Sequence, residues 1–422
     1  MMVIGGIIGS GIFLNSAVVA ARVRSPQLTL LAWGLGALIA LLGAFVFAEL
    51  GRRRPQAGGG YAYLREAYGP LSGFLYAWAL LLVIATGAAA AVAMTSAGYL
   101  VNLLGWQDDY QRPVAATMIV LLTLVNLVGV RPAAWTQNLF TILKLAAIAI
   151  LVVAALFLSV GDAPAATPLE PATDPVWLTL SAALVPVLFA FGGWQQTNFV
   201  AEEMINPERD LPWALIVGVC VVAGAYLLVN VAYLKALGVA GLASSIAPAA
   251  DTMAVVAGSG GRNLIAAGIV ASTFGFLNLV LLVSPRVYQA MARDGLFFRS
   301  FASLHPRWKT PVAAILFQGA WAIMLLYSGS YGQLLDQVVF VDCIFFGLVA
   351  STLFVLRQRD GDDNPGFTAP LHPWSTLLFI LAACYVMLGS VTSNPGNALR
   401  GALLLLAGVP VYLIWRSRAG TT

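Results

Sequence analysis

The chain has 422 residues, 60% of them hydrophobic and 9% charged, and its mean hydropathy is +0.87. A soluble domain carries about 25% charged residues, so a mostly hydrated surface is excluded, and no nucleic-acid partner is expected. The net charge of +4 carries information only through its placement.

Apolar stretches run over 2–22, 28–50, 70–104, 113–131, 135–160, 177–200, 212–237, 263–292, 311–329, 333–356, 373–392 and 398–415. A helix of about 20 residues crosses the hydrocarbon of a bilayer, so the pattern predicts an all-α membrane protein with about twelve spanning helices. The first stretch has no basic leader and is interrupted by glycines, so it reads as a retained helix and not a cleaved signal. The third is long enough to need a strong tilt or an extension beyond the bilayer. Residues 241–258 are too polar and too short to span, and read as an outer loop with a small helix.

Lys and Arg placement orients the chain. With the N-terminus inside, fifteen basic residues fall at inner loops and ends, among them Arg52, Arg53, Arg54, Arg131, Arg209 and Arg418. Six fall outside: Arg22, Arg24, Arg112, Lys235, Arg262 and Arg400. Lys144 belongs to neither set. Acids such as Asp108, Asp109, Asp162 and Asp174 mark the outer loops, so both termini are expected in the cytoplasm.

Two glycine interruptions lie five helices apart, at Gly5–Gly11 in the first stretch and at Gly192-Gly193 in the sixth. An odd separation implies two halves of opposite orientation, and paired breaks of this kind point to a transporter's midplane site. A break frees backbone groups that hydrocarbon cannot satisfy. At Gly9-Ser10-Gly11 the amides and the positive end of the next half-helix suit a carboxylate, with Ser10 adding a hydroxyl. At Phe189–Gly193 the freed carbonyls suit an ammonium, and the two together suit a zwitterion. The alternative is that these glycines only allow close helix packing.

Lys144 stands about nine residues into the fifth stretch, roughly 14 Å deep at 1.5 Å per residue. An ionisable group at that depth implies function. Its ammonium is expected on carbonyls freed by the first break and on hydroxyls such as Ser272 or Thr273, either replacing a sodium ion or carrying a proton. Asp342, about ten residues into the tenth stretch, either pairs structurally or titrates during transport, whereas Asp336 reads as interfacial. Glu202-Glu203 either closes a cytoplasmic gate against Arg52–Arg54 or is solvated. Phe189, Phe191 and Trp194 flank the second break, where Phe189 and Trp194 suit a gate. Cys220, Cys343 and Cys384 are scattered through apolar stretches, and His305 and His372 sit beside prolines. Neither set suggests a metal, and no cofactor or catalytic constellation is evident, so no enzyme activity is expected.

Gly5–Phe13, Ala48–Tyr68, Gln137–Leu145, Phe189–Asp210 and Ser272–Asn278 resemble the amino acid–polyamine–organocation superfamily, and most of all its L-type amino acid transporter branch and bacterial relatives. The resemblance implies a LeuT-type fold: two inverted five-helix repeats, here within 1–160 and 177–356, then two extra helices within 373–415. It implies that Ile7, Ser10 and Gly11 receive the substrate carboxylate and that Phe189, Ala190 and Gly192 offer carbonyls to the amino group. Phe189 would be the outer lid, and Lys144 matches the family lysine at a sodium position. Three departures stand out. Only eight residues precede Gly9, where the family has a tail and a fuller half-helix. Gly60 stands where a glutamate is frequent, and the outer loop 105–112 lacks a cysteine, so no disulfide-linked heavy subunit is expected there.

The expected function is sodium-independent transport of neutral L-amino acids by alternating access, through exchange, in the cell inner membrane. The neutral class follows from the lack of an acid visibly placed for a cationic side chain. The alternatives are proton-coupled symport through Lys144 or Asp342, and an amino acid sensor without transport.

Overall fold

The computed structural model describes residues 1–422 apart from 57, 129, 159–168, 171–172, 362–365 and 420–422, and for 130–137 and 417–419 it describes the backbone alone. The charges expected from Arg131, Asp162 and Arg418, and the motif position Gln137, fall outside the described residues and side chains.

The described residues form helices and no strand. In chain order they are α1 (Met2–Ile7), α2 (Gly11–Val23), α3 (Pro26–Arg53), α4 (Gly60–Tyr68), α5 (Pro70–Leu104), α6 (Gln111–Leu127) and α7 (Val130–Phe157). Then come α8 (Val176–Phe191), a 3₁₀ segment (Trp194–Glu203), α9 (Pro207–Ser244), α10 (Pro248–Arg293), α11 (Val312–Ser328) and α12 (Tyr331–Asp360). The chain ends with α13 (Trp374–Ser393), α14 (Pro395–Leu406) and α15 (Gly408–Ala419). Among the described residues ten helices are long and apolar enough to cross a membrane, and Gly11–Val23 and Val312–Ser328 are shorter apolar helices. Together they match the twelve expected stretches, with the first and sixth broken, which is the LeuT-type arrangement. Local signals set several ends. Ser25 caps α3 by accepting from the Leu28 amide, with Pro26 in the first turn, and Ser330 and Gln333 form a capping box at α12.

Two long elements depart from plain α-helix. Helix α5 contains a π-helical turn at Leu80–Ile84, where the Thr86 hydroxyl donates to the Leu81 carbonyl at 2.8 Å. Such turns are frequent at functional sites. Helix α10 breaks at Gly258, where φ is 65°, which separates the short outer helix expected before residue 258 from the spanning part.

The distribution of polarity is the reverse of a soluble protein's. Leu31, Leu38, Leu121, Leu124, Leu381 and Leu403 are exposed, while Asn15, Asn126, Asn198, Asn230, Asn278 and Gln318 are fully buried. An apolar exterior needs a lipid solvent, and interior amides must find partners because hydrocarbon offers none. Asn126 donates to Asn278 Oδ1 at 3.0 Å, Asn198 to the Phe47 carbonyl at 2.9 Å, and Gln318 to the Val280 carbonyl at 3.1 Å. Helix α9 packs along α3, α10 lies between α5 and α7, and α2 lies against α8. These pairings bring the two breaks to the centre of the bundle.

At the ends of α3 and α12 a charge cluster gathers Arg53 and Arg54. Glu49, fully buried, accepts from Arg53 at 2.8 Å, from Arg357 at 2.6 Å and from the Ala369 amide at 2.7 Å. Arg53 and Arg54 also pair with Asp360 at 2.9 and 2.8 Å, and Arg54 with Glu66 at 2.8 Å. Arg52 donates to the Phe367 carbonyl, and Glu203 pairs with Arg286. Proximity builds the cluster: Glu49 is one helical turn from Arg53, and α12 ends beside it. The cluster ties α3, α4, α12 and the segment before α13.

Candidate functional site

The first break begins where α1 ends at Ile7. Ile8 is extended (φ −74°, ψ 90°), and α2 starts after Ser10. The Ile7 carbonyl accepts from the Gly9 amide at 2.8 Å. Among the described residues the amides of Ser10, Gly11 and Ile12 have no backbone acceptor, and the buried Ser10 hydroxyl has no partner. Three N–H groups and a hydroxyl thus converge at the positive end of α2, which suits a carboxylate. Ile7 contributes a carbonyl to the break, so the donors are Ser10, Gly11 and Ile12, the last of which the sequence reading did not include. Gly9 lies against the Phe276 ring, 3.1 Å from where a methyl would sit.

The second break follows Phe191. Gly192 is extended (φ −63°, ψ 157°) and Gly193 is left-handed at φ 107°. The Phe189 carbonyl takes the Gly192 amide at 3.2 Å, and Gln195 Oε1 accepts from the Gly193 amide at 2.9 Å. No hydrogen bond reaches the carbonyls of Phe191 or Gly192 among the described residues, so these two are the open acceptors for a cation. Of the expected carbonyls Phe189, Ala190 and Gly192, the first takes the Gly192 amide and the second a tyrosine hydroxyl, while Phe191 was not among those expected.

That tyrosine is Tyr226 of α9. Its hydroxyl lies 3.2 Å from the Ile7 carbonyl and 3.1 Å from the Ala190 carbonyl, bridging both breaks. The sequence showed only a tyrosine in an apolar stretch, and nothing in its spacing marked the bridge. The breaks also touch directly. A methyl on Gly193 would collide with the Gly6 carbonyl oxygen, and one on Gly11 with the Ala190 backbone, so both positions need glycine for close approach.

Lys144 of α7 is fully buried and donates to the Gly5 carbonyl at 3.0 Å and the Ile8 carbonyl at 2.7 Å. These are acceptors freed where α1 stops, as the sequence led us to expect. The expected hydroxyl partners differ. Thr273 bonds back to the Ile269 carbonyl at 2.7 Å, and the buried Ser272 hydroxyl has no partner. Each serves α10 or stands alone, leaving the ammonium on the break.

A cavity with room for water over about 40 Å³ opens beside the second break, between the π turn of α5 and the face of α12. Phe189, Gly192, Gly193 and Asp342 line it. On one side Phe189 meets Tyr331 edge to face at 6.1 Å. Tyr331 donates to Asn15 at 2.9 Å, and Asn15 to the Pro186 carbonyl at 2.7 Å. This layer joins α2, α8 and α12 above the cavity, while Gln195, Gln196 and Phe199 line its other end. Trp194 lies apart from the cavity lining. It is stacked on Phe346 at 5.6 Å and edge-on to Phe47 at 4.9 Å, which makes it a packing anchor under the break, not a gate. Among the described residues no group of His, Cys, Asp and Glu could hold a metal ion.

Comparison with known proteins follows this geometry. A family model described as amino acid permease matches residues 1–409. The serine/threonine exchanger SteT of Bacillus subtilis (strain 168) is 32% identical over 420 residues, covering 99% of this chain and 95% of that protein. The large neutral amino acids transporter small subunit 2 of Mus musculus is 31% identical over 426 residues, covering 98% and 79%. The mouse b(0,+)-type amino acid transporter 1 is 29% identical over 428 residues, covering 98% and 86%.

The contact between the breaks makes a direct prediction. Gly193→Ala combines left-handed strain, about 1–3 kcal/mol, with a collision against the Gly6 carbonyl. The variant is expected to lose most of its monodisperse peak in detergent size-exclusion chromatography and to melt several degrees lower.

Proposed function

The chain belongs to the amino acid permease family, and from that membership we propose that it exchanges L-amino acids across the membrane by alternating access, without sodium. It is a multi-pass membrane protein whose relatives are amino acid transporters. The observation that carries the sodium-independent reading is the Lys144 ammonium on the Gly5 and Ile8 carbonyls. A fixed cation there meets the acceptors that a bound metal ion would otherwise need to satisfy.

The substrate zwitterion lies across the two breaks. Its carboxylate takes the amides of Ser10, Gly11 and Ile12, and its ammonium takes the Phe191 and Gly192 carbonyls, with Gly9 and Gly193 admitting the close approach. Phe189 covers the site with Tyr331. The moving parts are the inverted repeats within 1–160 and 177–356, for which the matched breaks are the support, with the helices within 373–415 outside them. Both termini are cytoplasmic and the membrane is the cell inner membrane, on the support of the basic residues gathered on one side. Exchange is supported by the similarity to a named serine/threonine exchanger. Neutral substrates are supported by that name and by the large neutral amino acids transporter, and a stand-alone chain by the lack of a cysteine in 105–112. Contrary to the expectation of no acid near the side-chain site, Asp342 lines the cavity.

Two measurements test the reading. In proteoliposomes, uptake of labelled L-serine is expected only when the lumen is preloaded with amino acid. Uptake into empty vesicles driven by an imposed pH gradient would replace exchange with proton symport, and saturable binding without flux would leave a sensor. Lys144→Ala strips the donor from two buried carbonyls, at about 1–3 kcal/mol each, and is expected to cut exchange at least about tenfold while a folded peak remains. Undiminished exchange in that variant would remove the lysine from the mechanism.

A further inference from the structure

Asp342 faces the cavity from α12, beside Val338, Val339 and Cys343. Among the described residues it makes no hydrogen bond and no ion pair, and no Lys, Arg or His lines the cavity with it. Gln196 shares the same lining, and its buried Oε1 also lacks a partner. The remaining wall is largely apolar, with Ile84, Ala85 and Phe276 among it.

A carboxylate at this depth without a counter-charge is costly, and a structural one is found paired. Glu49 of the same protein illustrates the paired case, with Arg53 and Arg357 on its oxygens. Asp342 has no such partner and opens instead onto the cavity beside the second break, which Gly192 and Gly193 also line. The α-ammonium of a substrate already has the Phe191 and Gly192 carbonyls, and the α-carboxylate has the amides of α2. Asp342, the one acid among the described residues of the cavity lining, therefore matches a second positive charge on the substrate, and the unpartnered Gln196 oxygen offers one more acceptor.

We infer that Asp342 determines specificity by receiving a cationic side chain, so that the cavity prefers amino acids ending in an alkylammonium or guanidinium over neutral ones of equal size. This rests on the cavity being the amino acid site proposed above. It extends the substrate range beyond the neutral class that the serine/threonine and large neutral amino acid names suggest.

The test compares isosteres in proteoliposomes preloaded with unlabelled amino acids. L-Ornithine and L-norleucine have side chains of the same length and differ in the terminal charge, as do L-arginine and L-citrulline in the guanidinium. In wild type, ornithine is expected to inhibit labelled exchange at a concentration lower than norleucine by about tenfold, equivalent to 1.4 kcal/mol, and arginine likewise against citrulline. Asp342→Asn, which keeps shape and removes charge, is expected to erase that ratio. Equal potency of the isosteres in wild type, or an ornithine preference that survives in Asp342→Asn, would overturn the inference and leave amino acid exchange standing. Absence of exchange for every amino acid would overturn both. The wild-type ratio needs no variant, so a poorly folding Asp342→Asn does not protect the inference.

Discussion

Everything at the centre of this bundle follows from one constraint: a helix interrupted in hydrocarbon must find partners for the backbone groups it releases. The first interruption releases the Gly5 and Ile8 carbonyls, and the Lys144 ammonium takes both. The Ile7 carbonyl takes the Tyr226 hydroxyl, which also reaches Ala190 at the second interruption. Other backbone groups at the breaks have no partner among the described residues. Donors stay open at Ser10, Gly11 and Ile12, and acceptors at Phe191 and Gly192. In the proposed reading a zwitterion pairs with these groups, so the site is built from backbone that its internal partners leave open.

The same arrangement supplies an asymmetry suited to alternating access. On one side of the cavity, Phe189, Tyr331, Asn15 and the Pro186 carbonyl form a continuous layer from α8 through α12 to α2. At the ends of α3 and α12, Glu49 gathers Arg53 and Arg357, and Asp360 gathers Arg53 and Arg54. Helix α12 therefore carries a hydroxyl contact near its start, a charge cluster at its end, and Asp342 on the cavity between them. A movement of α12 against α2 or α3 changes all three, which couples the layer beside the cavity to the cluster beyond it.

Much of this was legible in the sequence because it depends on composition and spacing. Twelve apolar stretches and two glycine breaks five helices apart are one-dimensional facts that the fold reproduces, and Lys144 lies buried on the first break. What was not legible depends on which side chain meets which across the bundle. Tyr226 lies 219 residues from Ile7 and 36 from Ala190, and no spacing announces a bridge of that kind. Trp194 borders the second break in sequence, yet its ring turns into Phe47 and Phe346. Glu49 was absorbed into an apolar stretch, which hid it as the partner of Arg53 and Arg357. Asp342 was recognisable as deep, but its orientation into the cavity required the neighbouring helices.

The account stands on a fixed ammonium occupying the place where a metal cation would neutralise the first break. Amino acid exchange measured in proteoliposomes with sodium replaced throughout by choline tests that claim most directly. Equal initial rates in sodium and in choline are predicted, since Lys144 already holds the Gly5 and Ile8 carbonyls. Exchange that requires sodium, or saturates with its concentration, would contradict the assignment of Lys144.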